Sequence, residues 1–279
     1  MKTFRITLLA LIIINLGFSQ TSAIKIEITG QGDPVLFLPG FTTPGSIWND
    51  TVEHLTTKSE AHLISYAGFN GNPPIAMPWY DTIKEELIVY IKDKNLTNVT
   101  IIGHSMGGNL AIDLAAALPD TITRLVIVDS IPCMRELMMP GVPESQIQYD
   151  SPYNKQMLQT EDTQFKQTAT MMAQNMTNNK DKVDILINWI MEADRETYVY
   201  GYTDLLKLDL RKVLNKVTAK TLILGASFPS VEVAKSNYEK QYTTLANKSI
   251  KMASNSKHFI MFDQPEWFYT TVNAFLANE

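Results

Sequence analysis

Residues 99–110 read Val-Thr-Ile-Ile-Gly-His-Ser-Met-Gly-Gly-Asn-Leu. The first four are apolar or β-branched and predict a buried strand, whereas the residues from Gly107 onward predict a helix that follows at once. Between them, the pattern Gly-x-Ser-x-Gly puts Ser105 on a sharp turn that needs small residues two positions before and after it. The first N–H groups of such a helix face a negative oxygen beside the serine. The stretch therefore predicts Ser105 as a nucleophile.

The rest of the chain alternates short β-branched runs with longer amphipathic stretches, which is typical of a mostly parallel sheet covered by helices. The predicted fold class is α/β. The predicted strands are 24–28, 35–38, 62–66, 99–102, 125–128, 221–224 and 249–252. The predicted helices lie around 48–57, 80–93, 107–118, 231–242 and 266–276.

This alternation breaks between residues 131 and 217, where the sequence is helical in character and carries no strand signal. The segment is rich in methionine: Met134, Met138, Met139, Met157, Met171, Met172, Met176 and Met191. It predicts a helical cap at one end of the sheet. The predicted organisation is a core made of residues 20–130 and 218–279 with a cap at 131–217.

The first 19 residues predict a secretory signal peptide. Lys2 and Arg5 precede the apolar run 6–16, and small and polar residues follow it. The run is short compared with the roughly 20 residues that span a bilayer, so we expect no membrane anchor. Cleavage after Ser19 or after Ala23 would fit. The chain is expected to be exported, to the periplasm or outside the cell.

Charge and cysteine content narrow the classes of partner. The formal net charge is −5, and removal of Lys2 and Arg5 would make it −7. Because no basic cluster occurs, a nucleic acid partner is not expected. The single cysteine, Cys133, cannot form an internal disulfide. The oligomeric state stays open.

Beyond the serine motif, nearly all of the chain after the signal segment resembles the α/β-hydrolase family. Residues 35–41, Val-Leu-Phe-Leu-Pro-Gly-Phe, are similar to the family's strand and oxyanion loop, although Pro39 replaces its commoner histidine. The resemblance implies an oxyanion hole made by the backbone N–H groups of Phe41 and Met106. Since the loop acts through its backbone, Pro39 need not impair it.

A serine nucleophile needs a base, and the chain has four histidines. His104 lies inside the serine turn, His54 lies in a predicted helix, and His62 begins a strand far from the active end of the sheet. His258 follows the last strand within residues 256–266, which resemble the family's closing histidine loop. His258 is therefore the predicted general base.

The acid departs from the usual family pattern. Most members carry an aspartate after the strand that corresponds to 221–224, but residues 225–231 contain no carboxylate. Some relatives, among them certain haloalkane dehalogenases, carry the acid one strand earlier, where this chain has Asp129. Asp129 is the leading prediction, and Glu232 and Asp263 remain alternatives.

These residues predict acyl transfer to water through an acyl-enzyme, with no metal or organic cofactor. An uncharged, lipophilic carboxylic ester of small size is the expected substrate. Candidate substrate-binding residues are Trp79, Met138, Met172 and Phe228, although the methionines would equally suit the core of the cap.

Other functions remain open at this point. They are amide or peptide cleavage, as in capped aminopeptidases, non-hydrolytic chemistry of a haloperoxidase-like or carbon–carbon hydrolase kind, and ligand binding by a decayed site.

Overall fold

The computed structural model describes residues 21–277, so the predicted signal peptide lies outside the described residues. Seven strands form one sheet in the order β1-β3-β2-β4-β5-β6-β7. β1 is antiparallel to β3, and the other neighbours are parallel. The strands are β1 (Ile24–Gly30), β2 (Asp33–Leu38), β3 (Ser59–Tyr66), β4 (Val99–His104), β5 (Ile122–Val128), β6 (Lys220–Ala226) and β7 (Lys248–Ala253). The predicted α/β class is confirmed.

Helices cover both faces of this sheet. In chain order they are α1 (Asn49–Glu53), α2 (Trp79–Asp93), α3 (Met106–Ala117), α4 (Met134–Met138), α5 (Pro152–Gln159), α6 (Asp162–Met176), α7 (Val183–Met191), α8 (Arg195–Lys207), α9 (Val231–Gln241), α10 (Ile260–Asp263) and α11 (Pro265–Leu276). Helices α2, α3 and α9 contribute to the core on one face, and α11 contributes to the core on the other.

The central strands are apolar on both sides because both sides are buried. Along β2, Leu36 and Leu38 point into the core shared with α2 and α3, whereas Val35 and Phe37 point into the core shared with α11. The two-residue period of a strand produces this division. It explains why β2, β4 and β5 appear in the sequence as continuous apolar runs.

The predicted helix at 48–57 is shorter than expected. A 3₁₀ turn, Gly45–Trp48, leads into α1, which ends at Glu53. The N–H of Thr56 donates instead to Oδ1 of Asn273 on α11, at 2.9 Å. This tertiary hydrogen bond takes the place of the helical one that local propensity favours.

Between β5 and β6 the chain runs through α4 to α8 and returns without adding a strand in residues 131–217. Several of these helices pack onto the carboxyl ends of the strands. The N–H of Phe259, for example, donates to the carbonyl of Met176 at the end of α6, at 3.0 Å. Among residues 21–277, no helix has both the length and the apolar character needed to cross a bilayer.

Candidate active site

Ser105 occupies the turn between β4 and α3 with φ 53° and ψ −121°, a backbone conformation that L-residues rarely adopt. Its N–H donates to the carbonyl of Val128 at 2.9 Å. A Cβ on Gly103 would lie 2.3 Å from the carbonyl oxygen of Gly107, and a Cβ on Gly107 would lie 2.1 Å from that of Leu38. The two glycines are therefore required by the close approach of backbone on each side of the serine.

His258 and Asp129 lie on loops that follow two different strands, and the fold brings their side chains into contact. Asp129 directly follows β5 and His258 follows β7. Nδ1 of His258 lies 2.6 Å from Oδ2 of Asp129. Because an ionised carboxylate only accepts hydrogen bonds, Nδ1 carries the hydrogen and Nε2 is the free nitrogen. The imidazole is thereby held in one tautomer.

The other oxygen of Asp129 is also fully engaged. Oδ1 accepts hydrogen bonds from the N–H of Ala226 at 2.8 Å and from the hydroxyl of Tyr238 at 2.5 Å. Burial alone would raise the pKa of Asp129, but hydrogen bonding and charge from His258, together with the bonds from Tyr238 and Ala226, hold it below its usual value. Asp129 is therefore a carboxylate at neutral pH.

The two alternative acids lie elsewhere. Glu232 is exposed in the first turn of α9. Asp263 accepts hydrogen bonds from the N–H of Lys257 at 2.7 Å and from the hydroxyl of Thr177 at 2.5 Å. Asp263 thus joins the histidine loop to the turn after α6. Of the three predicted carboxylates, Asp129 is the one hydrogen-bonded to His258.

The side chain of His104 is hydrogen-bonded to the backbone of the loop that carries His258. Its ring is fully buried, and Nε2 lies 3.0 Å from the carbonyl oxygen of His258. Burial, followed by the proximity of His258, lowers the pKa of His104 to about 3. His104 is therefore neutral and donates from Nε2. As predicted from the sequence, it belongs to the turn and is not the ring bonded to Asp129.

Phe41 and Met106, the predicted oxyanion-hole residues, lie on two backbone segments that meet at Ser105. Met106 is the first residue of α3, so its N–H has no partner within the helix. Phe41 follows Gly40, and a Cβ on Gly40 would lie 3.3 Å from Cβ of Ser105. Within residues 21–277, neither N–H is used in a backbone hydrogen bond. Both therefore remain free to donate to a ligand beside Ser105.

Two cavities meet at Ser105 and His258. The inner cavity, about 160 Å³, is bounded by the oxyanion loop and by side chains of α6, α7 and α8. It has no exposed residue in its wall. The outer groove, about 500 Å³, runs between α4 and the start of α9 and has exposed residues along its rim. Ser105, His258 and Met134 line both.

The predicted substrate-binding residues are distributed unevenly over these spaces. Met172 lines the inner cavity, whereas Met138 and Phe228 line the outer groove. Trp79 is fully buried behind this wall, where its ring packs edge-on against Phe41 at a centroid distance of 5.6 Å. Trp79 thus supports the oxyanion loop from behind and lines neither space.

No hydrogen bond joins Ser105 to His258 within the described part of the chain. In ligand-free hydrolases, hydrogen bonds between nucleophile and base often tighten only when substrate binds. Among residues 21–277, no three His, Cys, Asp or Glu side chains are grouped closely enough to hold a metal ion.

Sequence reasoning missed Tyr238, which is 109 positions away from Asp129. A tyrosine on the apolar side of an amphipathic helix is typical of an ordinary core residue. The local sequence around Asp129 carries no signal for this partner, because the contact depends on how α9 packs against β6 and β7.

Comparison with known proteins places the chain in a family. A chain of 25% identity, pimeloyl-(acyl-carrier protein) methyl ester esterase from Aeromonas hydrophila, aligns with 91% of this chain and 100% of its own length. The sn-1-specific diacylglycerol lipase ABHD11 from Danio rerio is 23% identical over 92% of this chain and 85% of its own.

Solved structures agree on the fold. A hydrolase from Pseudomonas aeruginosa superposes with a TM-score of 0.77 at 18% identity, covering 91% of this chain and 94% of its own. The model of the alpha/beta hydrolase family matches residues 35–271, which include the last four residues of β2, all of β3 to β7 and the first half of α11. The chain therefore belongs to the alpha/beta hydrolase family.

Proposed function

We propose that this chain is a carboxylic ester hydrolase in which Ser105 is the nucleophile, His258 the general base and Asp129 the residue that orients the base. One observation carries the proposal: the imidazole bonded to Asp129 lines the same cavity as the strained serine. A serine hydroxyl alone is a poor nucleophile, and this arrangement supplies both the base and its orientation.

The reaction proceeds in two halves. Nε2 of His258 takes the hydroxyl proton as Ser105 Oγ bonds to the ester carbonyl carbon, and the carbonyl oxygen becomes negative. The N–H groups of Phe41 and Met106 stabilise that oxyanion. The imidazolium then returns its proton to the alkoxide, the ester C–O bond breaks, and an acyl-enzyme remains.

Water completes the cycle. His258 removes a proton from a water molecule that attacks the acyl carbonyl carbon. The imidazolium then returns this proton to Oγ of Ser105 as the bond between the acyl carbon and Oγ breaks, which releases the acid and free Ser105. Asp129, ionised and triply hydrogen-bonded, stabilises the imidazolium in both halves. Tyr238 is a positioning residue here, because its hydroxyl donates to Asp129 and, within residues 21–277, forms no hydrogen bond with His258 or Ser105.

The relatives favour an ester as the substrate, and the inner cavity favours an uncharged acyl group. The relatives named above include enzymes whose names describe hydrolysis of a methyl ester and of a diacylglycerol. The inner cavity is bounded mainly by Met172, Met176, Leu186 and Ile190 in addition to aromatic rings, which suits an uncharged acyl group.

In this proposal residues 131–217 are the cap. Helices α6, α7 and α8 provide much of the wall of the inner cavity, whereas the chemistry comes from Ser105, Asp129 and His258 at the ends of the core strands. Substrate preference is then set mainly by the cap.

Export to the periplasm or beyond is part of the same proposal and rests on the signal-like pattern of residues 1–19.

A substrate panel tests the reaction class. Purified protein is assayed with p-nitrophenyl esters of increasing acyl length, with aminoacyl p-nitroanilides, and for halide-dependent peroxidation. The proposal expects turnover of short esters and no comparable turnover of the others. Amide cleavage at a similar or higher rate would assign an amidase, and peroxidation without ester turnover would assign the non-hydrolytic alternative.

A further inference from the structure

Two tyrosines that line the inner cavity have hydroxyl groups whose hydrogen-bond partners, among residues 21–277, are sulfur atoms only. The hydroxyl of Tyr198 lies 3.4 Å from Sδ of Met172. The hydroxyl of Tyr202 lies 3.5 Å from Sδ of Met138 and 4.0 Å from Sδ of Met134. Both tyrosines belong to α8, one helical turn apart, and both line the inner cavity. Thioether sulfur is a weak acceptor.

Other buried tyrosines in the described chain donate to oxygen instead. Tyr238 donates to Asp129, Tyr242 donates to the carbonyl of Ser130 at 2.8 Å, and Tyr80 lies 3.2 Å from Asp113. This is the usual outcome, because a buried hydroxyl without a good acceptor costs free energy. Tyr198 and Tyr202 therefore hold donor capacity that a ligand oxygen would use better than sulfur does.

A ligand group that accepts hydrogen bonds from Tyr198 and Tyr202 is expected to be uncharged. No Lys, Arg, Asp or Glu side chain lines the inner cavity. Burial raises the pKa of Tyr198 and of Tyr202, so both stay protonated donors at any working pH. A carboxylate placed here would lose its hydration without gaining a cation, which disfavours it strongly.

The size of the cavity limits the group it can hold. Its volume is about 160 Å³, and an apolar protein cavity of about 150 Å³ is known to hold benzene. The inner cavity therefore fits a chain of about six carbon-sized atoms.

The acyl part of the ester belongs in this cavity. The alcohol must leave and water must replace it before the acyl-enzyme can be hydrolysed. The outer groove reaches Ser105 and His258 and has the exposed side chains of Leu137, Met138 and Phe228 on its wall, so it offers that exchange with solvent. The inner cavity has no exposed residue in its wall, so the outer groove is the better route for this exchange.

We infer that the preferred substrates are esters of short acids, about six heavy atoms long, whose acyl chain carries a neutral hydrogen-bond acceptor such as a keto, ether or second ester oxygen, bound by the hydroxyls of Tyr198 and Tyr202. The inference rests on the proposed function, and it adds the polarity and length of the acyl group.

Three methyl esters with the same five-carbon acyl length separate the possibilities: methyl valerate, methyl levulinate and monomethyl glutarate. Acid release is followed in a pH-stat, and kcat/KM is compared as a ratio within each protein. The wild type is expected to prefer levulinate over valerate by about two- to tenfold, the range that one or two net hydrogen bonds provide. Glutarate, with its free carboxylate, is expected to be the poorest of the three.

Matched variants locate the effect. The double variant Tyr198→Phe/Tyr202→Phe is expected to lose the preference for levulinate, whereas Tyr153→Phe, the same change at an exposed position, keeps it. Equal kcat/KM for levulinate and valerate in the wild type, a preference that survives the double variant, or a preference for glutarate would each overturn the inference and leave ester hydrolysis standing. No turnover of any of the three esters would contradict the proposed function as well.

Discussion

Asp129 illustrates what a single residue contributes to the site. It has φ 44° at the end of β5, and its N–H donates to the carbonyl of Leu224 at 2.8 Å. This conformation turns the carboxylate toward His258, which bonds one oxygen, while Ala226 and Tyr238 bond the other. A left-handed conformation is tolerated by aspartate better than by most residues. The acid can therefore lie at the end of β5 instead of at the usual family position after β6.

Asp129→Asn should lower kcat by about 10⁴-fold with little change in KM, since the amide allows the wrong imidazole tautomer and leaves the imidazolium without its counter-charge. Glu232→Gln is the matched control, because Glu232 is exposed on α9, and it should be near normal. Both variants are measured on one ester, and folding is checked by circular dichroism. Loss of activity in Glu232→Gln with a normal Asp129→Asn would reassign the acid.

The three residues of the proposed catalytic site were predicted from the sequence, whereas the side chain that holds Asp129 was not. Ser105 was predicted from its motif and His258 from its place after the last strand. Asp129 was predicted because residues 225–231 lack a carboxylate, and the structure puts it against His258. Tyr238 was not predicted, because its role depends on a contact that is distant in sequence.

The turn between β4 and α3 needs the glycines of the Gly-x-Ser-x-Gly motif for packing, independently of the chemistry of Ser105. Gly107 lies against the backbone of β2: a Cβ there would be 2.1 Å from the carbonyl oxygen of Leu38 and 2.6 Å from that of Pro39. Neither neighbour is a flexible side chain. The position of α3, and with it the N–H of Met106, depends on this contact.

Gly107→Ala should therefore destabilise the fold by about 2 to 3 kcal/mol, the usual cost of forcing a methyl group into a packed site. The control is Gly141→Ala. Gly141 has φ 80°, but a Cβ there would meet no atom within 4 Å, so only backbone strain of about 1 to 2 kcal/mol is expected. Urea unfolding of both variants and the wild type gives the comparison. Equal losses of unfolding free energy in the two variants would mean that the close approach to Leu38 does not exclude a side chain at residue 107.

Strand positions were easier to predict than helix ends. Each predicted strand lies within an observed one, because short β-branched runs bounded by turn residues are a strong local signal for strands. The helix predicted at 48–57 ended early, since the bond from Thr56 to Asn273 depends on the packing of α11. The helical nature of residues 131–217 was predicted, but the way their side chains divide the space above the sheet was not.

At the scale of the whole molecule, the buried His104 links stability to pH. Its pKa in the folded protein is about 3, against about 6.5 for an unperturbed histidine. As the pH falls below about 6.5, the unfolded chain binds a proton that the folded chain cannot, so folding stability falls with it. The loss of stability continues until the pH approaches about 3, the pKa of His104 in the folded protein.

His104→Gln should remove this dependence, because an amide can still donate to the carbonyl of His258 without titrating. Between about pH 7 and pH 4.5 the wild type should lose about 2 to 3 kcal/mol more stability than the variant, from one group that titrates two units above the lower pH. Urea unfolding at both pH values measures the difference. Parallel losses in the two proteins would show that His104 is not the linked group.

The central claim is that Ser105 is the residue that becomes acylated, and a fluorophosphonate probe tests it most directly because it reacts with an activated serine. The labelled protein is digested and the adduct is located by mass spectrometry. We expect one major adduct on Ser105. The variant Ser105→Ala should stay folded, lose this adduct and turn over the ester at least about 10⁴-fold more slowly. An adduct on another residue, or no labelling of a folded wild-type protein, would contradict it.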